Sequence, residues 1–352
     1  MVLETSNLQR VEDLTTRAWS TGDSKTNAFA LALISGAVAC ALFASLLPLQ
    51  VSIVTVFLFA GPHNWFELRY FLSRMPVRFG RSRTFFLTSF AGIGILTATY
   101  VSLPFIYRAG LWSSEAWSTM IASWNSLLLI WIAILVLLRS RQKANSDWSW
   151  FVPLSLAICA ANWLQPDLFS LAIVYAHPLI ALWFLDRHLK RTHPAWVPIY
   201  RRCLCVLPFL LAGMIWQLST TAPLEDDNGL FWRITQHSGA QLLPQVSSHL
   251  LVSVHLFLEL LHYAIWILVL PLLSSTLLSK KPEAFWRASS VPLARHPRGF
   301  RRLVACMLIV GLAVVVALWL GFSIDYATTR DIYFTAAIVH VLAEAPFLLR
   351  ML

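Results

Sequence analysis

Residues 303–323 read LVACMLIVGLAVVVALWLGFS, a run without one charged side chain, entered from Arg301-Arg302 and left just before Asp325. A bilayer's hydrocarbon core is about 30 Å thick and an α-helix rises about 1.5 Å per residue, so roughly 20 apolar residues cross it. Working outward from this stretch, comparable apolar segments fall at 27–47, 50–72, 84–106, 117–138, 150–164, 167–186, 203–219, 249–277 and 332–350. The segment 150–164 is short for a span and 249–277 long, and a tight turn, Gln165-Pro166-Asp167, joins the fifth segment to the sixth. Of the 352 residues, 58% are hydrophobic and only 12% charged, about half the charge of a soluble domain, too little to cover a water-soluble globule. The pattern predicts an all-α, polytopic transmembrane bundle of about ten spans: a polar head over 1–26 and a single transmembrane domain over 27–352.

The net charge of +10 resembles a nucleic-acid signal until its placement is examined. With the N-terminus inside and ten crossings, all of the 27 Lys and Arg except Arg108, Arg233 and Arg330 fall in inner loops or termini. That asymmetry is the positive-inside pattern and predicts a multi-pass protein of the cell inner (plasma) membrane with both termini cytoplasmic. The basic loops then meet membrane lipids through their anionic head groups, most densely from Lys280 to Arg302, and no nucleic acid is expected. Residues 1–26 are too polar for a cleavable signal; Leu8, Val11, Leu14 and Ala18 at helical spacing read as an amphipathic helix on the inner face. Glu225-Asp226-Asp227 belongs to a long outer loop, 220–248, with an interfacial segment near Leu230, Phe231 and Trp232. Cys40, Cys159, Cys203, Cys205 and Cys306 form no CxxC and read as small apolar residues of the spans.

Ionisable side chains inside spans are costly and mark function by default. The second span carries Gly61-Pro62-His63-Asn64-Trp65-Phe66-Glu67 and the sixth Tyr175-Ala176-His177-Pro178; the eighth carries His255, Glu259 and His262, the tenth His340 and Glu344. His63/Glu67, His255/Glu259 and His340/Glu344 share one spacing, H-x-x-x-E, which sets an imidazole and a carboxylate one turn apart on one face. His255 and His262 lie about 10 Å apart along their helix, so one ion takes only one of them; Glu259 and His262 are close enough to share one. His63, His177, His262 and His340 come from four helices at similar depth. They are the candidate metal ligands, with Glu67, Glu259 and Glu344 as catalytic carboxylates, further ligands or holders of the second ring nitrogens. Iron suits a buried site that oxidises a lipophilic small molecule; zinc, or a haem on His177 with His262 or His340, is the alternative. His188, His193 and His296 sit in basic loops and read as solvated, and Asp186-Arg187 as an interfacial ion pair.

No GxGxxG, P-loop, GxSxG, CxxCH or desaturase-type histidine box is present. Four membrane histidines on separate helices, one in the setting Ala60-Gly61-Pro62-His63, resemble the site of the bacterial Brp/Blh family of carotenoid-cleaving dioxygenases. The resemblance implies iron at His63, His177, His262 and His340 and oxidative cleavage of a carotenoid-like polyene. Asn64 departs from the Gly that follows the histidine in that family's motif. Two further readings of the same residues are a proton-coupled transporter or carrier, with His and Glu as a relay, and a structural or assembly subunit whose polar groups pack helices.

Overall fold

The computed structural model describes residues 2–76, 78–110, 113–143, 147–224, 229–278, 291–295 and 300–352. Among them there is no strand. The helices are α1 (Val2–Leu46), α2 (Pro48–Arg74), α3 (Arg83–Arg108), α4 (Ser114–Ser140), α5 (Phe151–Leu164), α6 (Pro166–Thr192), α7 (Val197–Leu204) and α8 (Val206–Leu218). There follow α9 (Gly229–His237), α10 (Ser248–Tyr263), a π-helical turn (Ala264–Val269), α11 (Leu270–Leu278), α12 (Arg301–Ile324), α13 (Tyr326–Ala336) and α14 (Ile338–Met351). The chain is an all-α polytopic bundle.

Among the described residues, eight helical segments are long and apolar enough to cross a membrane. Two of the ten segments expected from the sequence fall outside that set. The helix α5 is apolar but only 14 residues long. The helix α2 has the length, 27 residues, but Pro62, His63, Asn64, Glu67 and Arg69 interrupt its apolar run. It nevertheless traverses the bundle. It starts where α1 ends and α10 begins, with His249 bonded to the Ser45 carbonyl at 3.0 Å. It ends beside α6 and α14, where Arg74 Nη2 meets His188 Nδ1 at 2.8 Å and Arg350 donates to the Arg74 carbonyl. The polar head differs from the sequence reading in another way: it continues α1 as one helix without a break.

Guanidinium groups close the helix ends on this second face, where free carbonyls and the negative end of the helix dipole attract cations. Arg139, in the last turn of α4, donates from Nε to the Leu349 carbonyl and from Nη2 to the Arg350 carbonyl, both at 3.1 Å. His188 belongs to this layer. It is buried under Tyr70 and Arg74, not solvated, because α2 packs over the end of α6. His193 is partly covered and stacks on Trp196, while His296 lies outside the described residues. Asp186 takes Arg201 at 2.8 Å as its main partner, with the expected Arg187 at 3.9 Å. Of the cysteines only Cys203 is buried, and Cys205 and Cys306 are exposed on the outside of their helices.

Close approach fixes α3 against α4. A Cβ on Gly92 would stand 1.9 Å from Trp131 Nε1, so only glycine admits the indole that donates to the Thr88 carbonyl. The α5–α6 turn is tied to α4 by Asn125, whose amide reaches Asn162 Oδ1 at 2.8 Å and the Pro166 carbonyl at 3.2 Å. At the same end of the bundle α9 folds inward. Leu230 and Phe231 pack beside the cluster of Leu49, Ile234 and Val252 while Trp232 stays exposed, as an interfacial segment does.

Candidate metal centre

Four helices form a ring in which α2 touches α10, α10 touches α6, α6 touches α14 and α14 touches α2. Each contributes one imidazole to the enclosed space. His63 and His262 have ring centroids 5.3 Å apart, His262 and His177 4.7 Å, His177 and His340 4.9 Å, and His340 and His63 5.1 Å. The order of the imidazoles reproduces the order of the helices. Ligand atoms of His63, Glu67, His262 and His340 all lie within 4.8 Å of one another, and so do those of His177, His262 and Glu344. His340 Nε2 and His177 Nε2 stand 3.1 Å apart. Nitrogens bound at about 2.0–2.1 Å to one tetrahedral ion are separated by about 3.3 Å, so this pair is already at coordination spacing.

Hydrogen bonds from the far side of two rings aim their remaining nitrogens inward. His63 Nδ1 lies 3.1 Å from the Phe59 carbonyl, and as its donor leaves Nε2 with a free lone pair. His177 Nδ1 lies 2.9 Å from Glu344 Oε2 and is held the same way. Both nitrogens of His262, Nδ1 of His340, both oxygens of Glu67 and Oε1 of Glu344 are buried without a hydrogen-bond partner. Unmet polar atoms at this depth each cost on the order of 1–3 kcal/mol, and two carboxylates with no Lys or Arg bonded to them cost more. A divalent cation satisfies the inward nitrogens and balances both carboxylates. The residues present therefore fit a metal ion.

Backbone irregularity marks each of the four helices beside its histidine. Pro62 precedes His63, Pro178 follows His177, the π-helical turn starts two residues after His262, and α13 gives way to α14 at Ala337, three residues before His340. Proline and π turns free carbonyls and widen a helix, which a buried cavity can accommodate. Below the imidazoles, Tyr70, Phe71, Phe184, Trp266 and Phe347 seal the bundle. Phe71 and Phe347 stack at 4.3 Å, and Trp266 lies 5.3 Å from Phe184.

Two cavities adjoin the centre. A pocket of about 140 Å³ reaches His63, His177, His262 and His340 on one side and His237, His255 and Glu259 on the other. A groove of about 430 Å³ runs between α2, α12 and α13–α14, lined almost wholly by apolar side chains but ending at Asn64, Glu67 and His340. Val314, Ile332 and Val339, 52%, 62% and 45% exposed, form its outer lip on the lipid-facing surface of the bundle.

The structure thus brings together the four expected histidines with Glu67 and Glu344. Glu259 is set apart: Oε1 accepts the Tyr263 hydroxyl at 2.7 Å, and Glu259 shares its pocket with His255 instead of joining a ligand group with His262. Tyr263, whose ring lies 4.4 Å from that of His63, and Tyr333, beside Tyr263 and Asn64, were not singled out in the sequence. Tyr333 was legible there, being two helical turns before His340 on the same face. His237, tilted against Phe334 at 4.2 Å and edge-on to His255 at 5.2 Å, came without a sequence signal because only the infolding of α9 carries it inward. In comparisons with known proteins, no family model, no curated protein and no solved structure matches the chain.

Proposed function

We propose that the protein is a membrane metalloprotein in which His63, His177, His262 and His340 hold one iron ion, and that it oxidises a lipid-soluble substrate reaching the ion from the bilayer. The observation that carries this reading is the convergence of four imidazoles from four helices around unmet nitrogens, with Glu67 and Glu344 supplying the balancing charge. Glu67 offers an oxygen beside the nitrogens of His63, His262 and His340, and Glu344 orients His177. Bound there, iron would supply the one-electron chemistry that dioxygen requires. The chain's own part is to position substrate in the groove, to exclude water behind the Phe71, Phe347 and Trp266 seal, and to keep the His63 and His177 lone pairs aimed inward.

A haem fits less well. Axial imidazoles on opposite faces of a macrocycle have centroids about 6 Å apart, by the same metal–nitrogen lengths. His177 lies only 4.7 Å from His262 and 4.9 Å from His340. The one pair at 6.4 Å, His262 and His340, has the other two rings standing where the macrocycle would be. The same site pattern carries the resemblance to the Brp/Blh dioxygenases, which favours iron over zinc. Elemental analysis of the purified protein tests the reading. About one iron per chain is expected, lost in His177→Ala and in His262→Ala chains that retain their helical circular dichroism. Wild-type protein free of transition metal after purification without chelator would overturn it, and stoichiometric zinc would overturn the oxidative chemistry.

A further inference from the structure

From the groove beside the centre we infer the chemical class of the substrate, an inference that rests on the metal reading above. It is an uncharged, largely apolar molecule carrying a hydroxyl group that donates its one proton to Asn64 Oδ1, beside Glu67.

Asn64 follows His63 in α2 and is therefore turned about 100° away from it, out of the imidazole cluster. Glu67 lies three residues on from Asn64 and four from His63, so it faces both the cluster and the groove. Both side chains line the groove's inner end. Asn64 Oδ1 and both Glu67 oxygens are buried without a donor. One Glu67 oxygen suffices for the ion, which leaves the other and Asn64 Oδ1 as acceptors facing apolar space. Trp65 Nε1 is committed to the Leu308 carbonyl at 3.0 Å, while the Tyr333 hydroxyl adjoins Asn64 and lies 3.4 Å from the Ala60 carbonyl.

The complement of such a site is specific. A pure hydrocarbon would fill the groove and leave the acceptors unmet, the costly case for buried polar atoms. A carboxylate or phosphate would lie against Glu67 with no Lys or Arg in the groove's lining to offset it. A neutral lipid alcohol matches both parts, its hydroxyl at the metal end and its chain toward Val314, Ile332 and Val339. The cavity of about 430 Å³ falls in the size range of small-molecule sites. Its width is set by Gly311, where a Cβ would lie 3.2 Å from Trp65 and 3.3 Å from Leu68.

Because Trp65 lines the groove, its fluorescence reports occupancy. Metal-loaded full-length protein in phosphatidylcholine nanodiscs would be titrated with 9,10-dibromo-octadecan-1-ol and with 9,10-dibromo-octadecane. Quenching is read as the difference between the wild-type and Trp65→Phe chains. At matched mole fraction in the bilayer, the alcohol is expected to half-quench at about one-tenth the amount of the alkane or less, the scale of one buried hydrogen bond. Asn64→Leu should narrow that ratio and Gly311→Leu should abolish saturable quenching by both probes. Equal potency of the two probes in wild type, or an unchanged ratio in Asn64→Leu, would overturn the inference. Metal content is measured on the same samples. Metal without alcohol preference sinks the substrate class alone, whereas alcohol preference without metal sinks the metal reading and leaves the groove.

Discussion

His177 and Glu344 show how one carboxylate shapes an imidazole that belongs to another helix. The 2.9 Å contact from Nδ1 to Oε2 fixes the tautomer, so Nε2 keeps its lone pair on the side of His340 and His262. Partners of this kind tune metal affinity by about 10–100-fold. Glu344→Ala should therefore lower metal retention by about that factor, while Glu344→Gln, which still accepts from Nδ1, should lose less. Competition against a graded chelator, with folding checked by circular dichroism, reads both. Equal retention in wild type and Glu344→Ala would show that the contact only packs helices. At this scale the histidines were legible because each sits mid-way along its apolar segment, whatever the detailed packing. The carboxylates were not. His255/Glu259 repeats the spacing of His63/Glu67 and His340/Glu344, yet Tyr263 captures Glu259 one turn later on its own helix, and spacing alone cannot reveal that competition.

Helices α12, α13 and α14 show how a turn outside the membrane can set a residue inside it. Asp325 ends α12 and caps α13, its Oδ1 accepting from the Thr328 amide at 3.0 Å, and α13 carries Tyr333 and leads through Ala337 to His340. The hydrogen bonds from Thr328 hold the Asp325 carboxyl below its ordinary value. A carboxyl lowered in the folded state contributes stability that is fully present above its unfolded value, about 3.9, and is lost as pH falls through the lower folded one. Asparagine caps about as well as aspartate and does not titrate. Asp325→Asn should therefore melt with wild type at pH 7, and wild type should fall below it as pH drops under about 4. Differential scanning fluorimetry in detergent at both values decides; parallel curves would mean that the cap adds nothing. Apolar runs located these elements to within a few residues. The tenth segment begins at Tyr326, six residues before its apolar run, because capping and the Arg330–Phe334 contact carry the helix outward.

At the scale of the whole molecule, α2, a long helix outside the eight apolar spans, carries one of the four imidazoles and the polar end of the groove. Polarity at His63, Asn64, Glu67 and Arg69 leaves α2 outside the eight long apolar helices, and His63, Asn64 and Glu67 line the imidazole cluster or the groove. The sequence reading counts 50–72 as a span whereas α2 falls outside the eight long apolar helices, and the side of every later loop depends on whether that helix crosses. If α2 crosses, the loop holding Arg78 lies on the cytoplasmic side with both termini; if it does not, that loop moves to the opposite side. The short α5 poses the same question at Gln165, which is exposed at the tip of the α5–α6 turn. In a chain with the five cysteines replaced by serine, Arg78→Cys and Gln165→Cys each offer one thiol. For ten crossings, a membrane-impermeant maleimide added to intact cells should label the cysteine at 165 and spare the one at 78, which reacts only after permeabilisation. The bundle already sets the two positions apart, since α2 ends among the arginine-capped helix ends while the α5–α6 turn is held by Asn125 on α4. Labelling of the cysteine at 78 from outside would remove α2 from the crossings and with it the expectation that the basic loops share one face; protection at 165 would make α5 a segment that enters the bundle without leaving it.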